Sequence, residues 1–264
     1  MSTAFLTPIT GYTSILQYEA AGSSNYHSLQ VNVSRRFATR LQFGVSWTWS
    51  KVMDFVDTDT ASVSPLSPRS WDYGLASFDR THVLKGNAMW DIPGTSWRNP
   101  IAKTVLNDWH LSVMPSFVSG APLGVGFTST TGIDITGTPS QGARIVVTGN
   151  PVLPKSERTF STNFNTGVFK LPAVGTFGNA AKTLIRGPGI NNWDLGLFKV
   201  FPIKEFATLQ FRWEVYNAPN HTQFSTLNTT ARFDANGNQV DASFGQFTAT
   251  RNPRIMQFGL RLSF

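Results

Sequence analysis

Cysteine is absent from this chain of 264 residues, charged side chains are scarce, and long apolar runs are missing. The lack of cysteine excludes a disulfide framework and any thiolate-ligated metal site. No stretch approaches the roughly 20 consecutive apolar residues of a membrane-spanning helix, so helical membrane insertion is also excluded. Charged residues make up 14% of the chain, whereas an ordinary soluble domain has about 25%.

Aromatic residues, by contrast, are abundant, with 21 Phe and 8 Trp. Lipid-facing β-barrel strands flanked by aromatic girdles account for such a composition. The net charge is +7, yet Lys and Arg are dispersed, with no basic run or stripe. We therefore expect no nucleic-acid partner and assign the positive charge to solvated polar faces or to loops near lipopolysaccharide.

The last ten residues alternate between apolar and small or polar side chains. Strict period two places the apolar ones on one face of a strand, which must meet either a packed core or lipid. An edge strand of a soluble sandwich is the alternative reading of this segment. The spacing of four positions resembles the carboxy-terminal signal that the insertion machinery recognises in bacterial outer-membrane β-barrels: Gln257, Gly259, Leu262 and Phe264.

Similar alternation predicts further strands along the chain. Together with the last segment, the predicted strands are 12–20, 26–36, 39–51, 82–92, 108–119, 192–201, 207–216 and 255–264. If neighbouring strands run in opposite directions, the short connections near Ala38, 93–107 and 202–205 fall on one side. The long connections 52–79, 120–191 and 217–254 then all fall on the other. Outer-membrane barrels have this arrangement, with short periplasmic turns and long extracellular loops.

The sequence thus predicts an all-β fold, an antiparallel up-and-down transmembrane β-barrel segment of about 8–10 strands with long extracellular loops. Segment 120–191 is long enough to hold an extra hairpin, for example 144–148 paired with 164–171. The long loops are rich in Gly, Pro, Ser, Thr and Asn, so we expect them to be mobile and solvated.

The strand-borne tryptophans have two interpretations, membrane-interface anchors or carbohydrate-stacking platforms. Apolar neighbours share their face, which favours interfacial anchoring in two aromatic belts. Trp71 and Trp97 lie in connections and fit either interpretation. The predicted anchors are Trp47, Trp49, Trp90, Trp109, Trp193 and Trp213.

Catalytic and metal-binding patterns are sparse. Ser77, Asp79 and His82 are close in sequence, but no nucleophile elbow of the Gly-x-Ser-x-Gly type is present. We expect no catalytic residue, no enzymatic activity and no cofactor. The four histidines lack zinc-ligand spacing and are predicted to form interfacial or loop hydrogen bonds: His27, His82, His110 and His221.

Segment 234–241 has some features of a calcium loop. Its glycine, Gly237, stands at position four rather than six, and the terminal bidentate Glu of an EF-hand is missing. Asn236-Gly237 is a strong hairpin-turn signal. A turn is therefore the preferred interpretation, and calcium binding remains the alternative.

Seven short sequence motifs, in this order along the chain, carry a family resemblance. They are Ser24-Asn25-Tyr26-His27-Ser28-Leu29-Gln30-Val31, Trp47-Thr48-Trp49-Ser50-Lys51, Asp79-Arg80-Thr81-His82, Arg186-Gly187-Pro188-Gly189, Asp194-Leu195-Gly196-Leu197-Phe198-Lys199, Tyr216-Asn217-Ala218-Pro219-Asn220-His221-Thr222-Gln223-Phe224 and Arg251-Asn252-Pro253-Arg254. With the terminal Phe they resemble the carboxy-terminal barrel portion of TonB-dependent-receptor-like outer-membrane proteins of the Oar type, which contain a carboxypeptidase-regulatory-like domain and occur in Acidobacteria.

The resemblance implies a location in the bacterial outer membrane and a role in taking up a bulky nutrient, such as a glycan fragment or a metal chelate. A complete member resembles other TonB-dependent transporters, with a β-sandwich domain, a plug and a barrel of about 22 strands. This sequence shows no plug, no TonB box and no signal peptide, so we expect residues 1–264 to be a partial, carboxy-terminal barrel region.

The resemblance also implies partners. They are outer-membrane lipid and lipopolysaccharide, the barrel-assembly machinery through the last strand, and the plug and remaining strands of the same protein. Two alternatives stay open, namely a non-transporting structural or adhesive surface protein and a soluble all-β binding domain.

Overall fold

The computed structural model describes residues 22–36, 40–58, 69–96, 98–137, 142–203 and 206–264. The predicted strand 12–20 and Trp97 lie outside these residues. The described strands are β1 (Ser24–Arg35), β2 (Leu41–Asp54), β3 (Gly74–Leu75), β4 (His82–Asp91), β5 (Trp109–Val118), β6 (Pro122–Leu123), β7 (Gly126–Ser129), β8 (Val146–Val147), β9 (Phe169–Lys170), β10 (Ile185–Arg186), β11 (Ile190–Ile203), β12 (Ala207–Tyr216), β13 (Phe224–Leu227), β14 (Thr230–Phe233), β15 (Phe247–Thr250) and β16 (Ile255–Ser263).

In the part of the chain that the structure describes, helical structure is limited to short segments. They are α1 (Arg69–Asp72), α2 (Pro100–Leu106) and the 3-10 turns Lys155–Glu157 and Thr166–Val168. Among the described residues, no helix has the length and apolarity needed to cross a membrane.

Seven long strands form one antiparallel sheet in the order in which they occur in the chain: β1, β2, β4, β5, β11, β12 and β16. We call them the wall strands. The short strand β3 pairs with the end of β2. All seven were predicted, and the bounds 207–216 agree at both ends. The up-and-down antiparallel prediction is therefore confirmed.

This order places the connections of different length at opposite ends of the sheet. Segments 36–40, 92–108 and 204–206 join the wall strands at one end, which we call the turn edge. Segments 55–81, 119–189 and 217–254, the first, second and third loops, join them at the other end, the loop edge. The predicted sorting of short and long connections is confirmed.

The register places most of the large apolar side chains of the wall on one face, although a few, such as Phe198 and Met114, lie on the other. Leu197, Trp213 and Phe258 form one cross-strand row of this apolar face, and similar rows run across all seven strands. A slip of one residue would turn a strand's apolar side chains to the other face, which fixes the register. The apolar face includes Leu29, Val31, Val33, Phe43, Val45, Trp47, Trp49, Leu84, Ala88, Trp90, Trp109, Leu111, Val113, Phe117, Trp193, Leu195, Leu197, Phe201, Leu209, Phe211, Trp213, Val215, Met256, Phe258, Leu260 and Leu262.

The opposite face, the polar face, carries amides, hydroxyls and charges. Its members include Gln30, Asn32, Ser46, Thr48, Lys85, Asn87, Asp91, His110, Ser112, Asp194, Thr208, Gln210, Arg212, Glu214, Gln257 and Arg261. None of the described residues pairs with the outer edge of β1 or of β16. Within the described part of the chain, the wall is therefore an open sheet.

The buried hydrophobic core lies in the loops rather than in the wall. Three rings at its centre, Phe164, Phe169 and Phe244, pack edge to face with centroids 5.3 to 5.8 Å apart. The expectation of mobile, solvated loops is wrong here, because apolar residues between the turns pack together and exclude water. The core residues are Val125, Ile145, Phe164, Phe169, Ala180, Ile185, Leu227, Ala231, Phe233 and Phe244.

The second and third loops fold into one body, which we call the loop layer. The parallel pair β7 and β14 joins them, and β6 pairs with β10 and β13 with β15 within single loops. Phe224 stacks on Phe247 at 4.2 Å between centroids. The predicted extra hairpin is confirmed as a short pairing of β8 with β9 inside the loop layer, not as added wall strands.

Removing a central ring should loosen the loop layer and leave the wall intact. Phe164 is fully buried, and a buried Phe→Ala change costs about 3–5 kcal/mol of stability. We expect Phe164→Ala to expose the second and third loops to limited proteolysis while the wall strands stay protected. Phe78→Ala is the matched control because Phe78 is 57% exposed in the first loop. Equal protease resistance of both variants would contradict the assignment of the core.

Candidate functional site

The six predicted tryptophan anchors all project from the apolar face. Trp47, Trp49 and Trp193 lie toward the loop edge, whereas Trp90 and Trp109 lie at the turn edge. Trp213 lies between these two groups. The structure thus gives two aromatic groups at opposite ends of the apolar face, and their anchoring in a membrane interface stays a prediction.

Ring packing fixes several of these side chains. Trp193 contacts Phe117 edge to face with centroids 5.5 Å apart, and Trp213 stacks on Phe258 at 5.9 Å. Trp71, which fitted either interpretation, lies in α1 beneath the Arg144 guanidinium, 4.8 Å from the ring centroid. The Trp71 ring therefore takes part in a contact between the first and second loops.

The terminal strand keeps its alternation in the structure. Leu262 pairs with Leu209 on the apolar face, and Gln257 pairs with Glu214 on the polar face. Phe264 follows the last ladder pair and is 99% exposed. The predicted signal of Gln257, Gly259, Leu262 and Phe264 is thus presented on an open strand end, and its recognition by an insertion machinery stays a prediction.

Charged groups on the polar face pair with one another. Arg212 Nη2 lies 3.0 Å from Glu214 Oε1, and His110 Nδ1 lies 2.5 Å from Asp91 Oδ1. The Arg212 guanidinium also lies 5.3 Å from the centre of the Phe198 ring. Such pairs are ordinary on the wet, inward side of a membrane barrel and costly on a lipid-facing side.

Asp79 is fully buried where the first loop meets β2. Its Oδ1 accepts a hydrogen bond from the Val52 amide at 2.8 Å, and its Oδ2 pairs with Arg186 Nη2 at 2.8 Å. His82, three residues later, stacks on Trp47 instead. The Ser77, Asp79 and His82 triad is therefore not assembled. Instead, the contact between Asp79 and Arg186 links two of the seven motifs, which are more than a hundred residues apart in the chain.

A second polar network links three of the other sequence motifs at the loop edge. Asn217, at φ 51°, donates its amide N–H to Asp194 at 3.0 Å and its side-chain Nδ2 to the carbonyls of His221 and Asn252. The Gln223 carbonyl accepts from the Arg251 amide at 2.7 Å. The Asn217 side chain and this backbone bond hold the ends of the third loop together. This role could have been predicted from the Asn- and Pro-rich sequence motifs but was not.

Three basic residues of the second loop bind aspartates at or near the first loop. Lys182 Nζ lies 2.5 Å from Asp54 and 3.3 Å from Asp57, and Arg144 Nη2 lies 2.5 Å from Asp72. The third basic residue is Arg186, which binds Asp79 as described above. These ion pairs fasten the first loop to the loop layer.

The pKa values of two of these groups reflect the competition between burial and charge. Burial raises the pKa of Asp57, but the Ser77 amide, Asp54 and Lys182 outweigh it, so this pKa lies below its usual value. Burial lowers the pKa of the Arg144 guanidinium despite the opposing effect of Asp72.

Segment 234–241 forms the predicted turn. Gly237 has φ 77°, and the bridge between Phe233 and Gln239 closes the hairpin. The Asp234 carboxylate accepts from the amides of Asn238 and Asn236 at 2.8 and 2.9 Å, and these bonds lower its pKa. Its oxygens are thus engaged within the turn. In the described part of the chain, no three His, Asp or Glu side chains are grouped as metal ligands would be.

A small cavity lies at the base of the loop layer, where the loops meet the wall. Its volume is about 200 Å³, and Arg80 and Arg251 line it with serine and threonine hydroxyls and apolar side chains. This cavity is much smaller than a bulky nutrient would need.

A model of one protein family, described as an outer membrane beta barrel domain, matches residues 1–257. The chain belongs to this family. No curated protein and no solved structure matches the chain. Family membership places the protein in the bacterial outer membrane, which excludes the soluble all-β alternative. The wall strands are therefore a barrel wall, and its apolar face is the side that meets lipid.

The loop layer should be acid-sensitive through Asp241. Hydrogen bonds from the Ser243 hydroxyl and amide, and from Asn228, lower the pKa of Asp241. A carboxylate with a depressed folded-state pKa contributes stability above its unfolded pKa of about 3.9, and that contribution is lost as the pH falls through the folded-state pKa.

We therefore expect amide exchange of Ser243, corrected for its intrinsic rate, to accelerate below the unfolded-state pKa but not between pH 5 and 7. Asp241→Asn should remove this pH dependence. Unchanged protection in the wild type well below that pKa would contradict the role of Asp241.

Membrane insertion should depend on Phe264. We expect Phe264→Ala to reduce the amount of folded, heat-modifiable protein in outer-membrane fractions several-fold, because the terminal aromatic is the end of the predicted signal. Phe206→Ala is a matched control, since Phe206 is 67% exposed at the turn edge but lies outside the terminal strand. A similar yield from both variants would remove Phe264 from the signal.

Proposed function

We propose that this chain supplies wall strands and extracellular loops of a transporter that resembles the TonB-dependent receptors of the Oar type. In this proposal residues 1–264 are the carboxy-terminal barrel region, and no reaction is catalysed. The observation that carries the proposal is an ordered loop layer held over the loop edge of a wall that is open among the described residues.

The open wall supports membership in a larger barrel. In hydrocarbon each unpaired backbone N–H or C=O costs several kcal/mol. Among the described residues, no strand pairs with the outer edge of β1, which is 12 residues long. Further strands must therefore complete the wall. The missing strands and plug of an Oar-type protein of about 22 strands would supply them.

The loop layer supports a role in contacting a ligand outside the cell. Its aromatic core and its ion pairs to the first loop hold it in one arrangement, so a ligand would meet a preorganised surface. Because the cavity at its base is small, a bulky glycan fragment or metal chelate would contact the outer surface of the loops.

The other partners in this proposal follow from the location. Outer-membrane lipid and lipopolysaccharide surround the wall, and the barrel-assembly machinery binds the terminal strand. Coupling to TonB would come from the plug of the complete protein.

Uptake in the source cells tests this proposal. We expect labelled ferric chelates or oligosaccharides to accumulate in wild-type cells, and a protonophore to abolish the accumulation, because TonB-dependent uptake draws on the proton gradient. Phe164→Ala should lower uptake by disordering the loop layer, while Phe78→Ala should not. An immunoblot against Gln257–Phe264 should show a band several-fold heavier than 29.1 kDa.

Two results would overturn the proposal. A membrane-bound band near 29.1 kDa would indicate a small stand-alone barrel. Surface binding that is unaffected by the protonophore, with no accumulation inside, would indicate the structural or adhesive alternative.

A further inference from the structure

The connection at the turn edge between β4 and β5 contains the helix α2, Pro100–Leu106. Pro100 stands at its first position, and Asn99 caps it by accepting hydrogen bonds from the amides of Ile101 and Ala102 at 2.8 and 3.4 Å. At the other end the Asn107 side chain bonds both the amide and the carbonyl of Thr95 at 3.0 Å. These bonds fold the connection into a fixed shape.

Two side chains of the apolar face bind the carboxyl end of this helix. Trp109 Nε1 donates to the Val105 carbonyl at 3.0 Å, and Lys199 Nζ donates to the Asn107 carbonyl. Trp109 and Lys199 are paired in register, so both project from the apolar face. The end of α2 therefore lies on the outer, lipid-facing side of the wall and not beneath the lumen.

Lys199 interrupts the apolar face, yet it is only 1% exposed. Its ammonium lies 5.0 Å from the Phe201 ring centroid and 5.5 Å from that of Trp109. A cation also interacts favourably with the carbonyls at a helix carboxyl end. Lysine is costly at the middle of a bilayer and tolerated near its interfaces, so this pairing places the end of α2 at interface depth.

The helix itself is amphipathic, and its apolar side is uncovered. Ile101 is 73% exposed, Val105 46% and Leu106 51%. Ile101 and Val105 lie one above the other at i and i+4, whereas Lys103 lies on the opposite side of the helix. A contiguous exposed apolar patch is a feature of sites that contact lipid or another protein.

We propose that α2 lies in the boundary between headgroups and acyl chains of the periplasmic leaflet, with Ile101, Val105 and Leu106 inserted into lipid. The uncovered apolar side continues the lipid-facing side of the wall, to which Trp109 and Lys199 attach it. At this position, lipid is therefore the partner that the apolar side of α2 would contact. Lys199 is the positioning residue that holds the helix against the wall, and the proposal does not depend on any transport function.

Site-directed labelling tests this because the chain has no cysteine of its own. Ile101→Cys and Val105→Cys probe the apolar side, and Lys103→Cys is the matched control on the opposite side. Each variant of the protein, purified from outer membranes and reconstituted in phosphatidylethanolamine and phosphatidylglycerol vesicles, carries an environment-sensitive fluorophore. Brominated phospholipids should quench the labels at 101 and 105 several-fold more than the label at 103, and iodide should show the reverse order.

Two results would overturn the lipid assignment. Equal iodide quenching at all three positions would mean that the apolar side faces water. Labels at 101 and 105 that neither quencher reaches would mean that protein covers the helix.

Lys199→Met tests the positioning role separately. This variant keeps the length of the side chain but removes the donor to the Asn107 carbonyl. We expect lipid quenching of the label at 101 to fall while the protein remains heat-modifiable. Unchanged lipid quenching in this variant would overturn the role of Lys199.

Discussion

Backbone hydrogen bonding in a medium without water is the constraint on which this structure depends. In hydrocarbon every N–H and C=O must find a partner within the protein. Between neighbouring wall strands an antiparallel ladder in chain order meets this demand, and only the outer edges of β1 and β16 lack a partner among the described residues. Because the ladder fixes the register, it also decides which side chains meet lipid. Rows such as Leu197, Trp213 and Phe258 are consequences of that register.

The loop layer obeys a different rule because water surrounds it. There the apolar side chains supply the driving force, and rings such as Phe164 and Phe244 are buried in a core like that of a small soluble domain. Ion pairs then attach the first loop, with Asp79 bound to Arg186 at the point where loop meets wall. The sequence motifs that resemble Oar-type proteins lie largely at this junction between the wall and the loops, where the two must fit together.

The sequence predicted the wall well and the loops poorly, for physical reasons. A period of two is a local property, so strand 207–216 could be read without knowing its neighbours. The pairing of Asp79 with Arg186 depends on the fold bringing distant residues together, and no local pattern encodes it. Turn-forming residues in the loops indicate where the chain bends, not whether it moves, and the sparse Phe residues between them were the missed signal. Asn99-Pro100 was a readable start signal for α2.

The turn edge shows how the two rules meet. A strand-borne lysine on a lipid-facing side would be unfavourable, and Lys199 escapes this by donating to the Asn107 carbonyl at the end of α2. The same contact leaves the helix beside the wall with its apolar side chains facing outward. Since the ladder decides the face on which Lys199 lies, and that face decides where the helix attaches, the depth of α2 in the membrane follows from the register of β11 with β5.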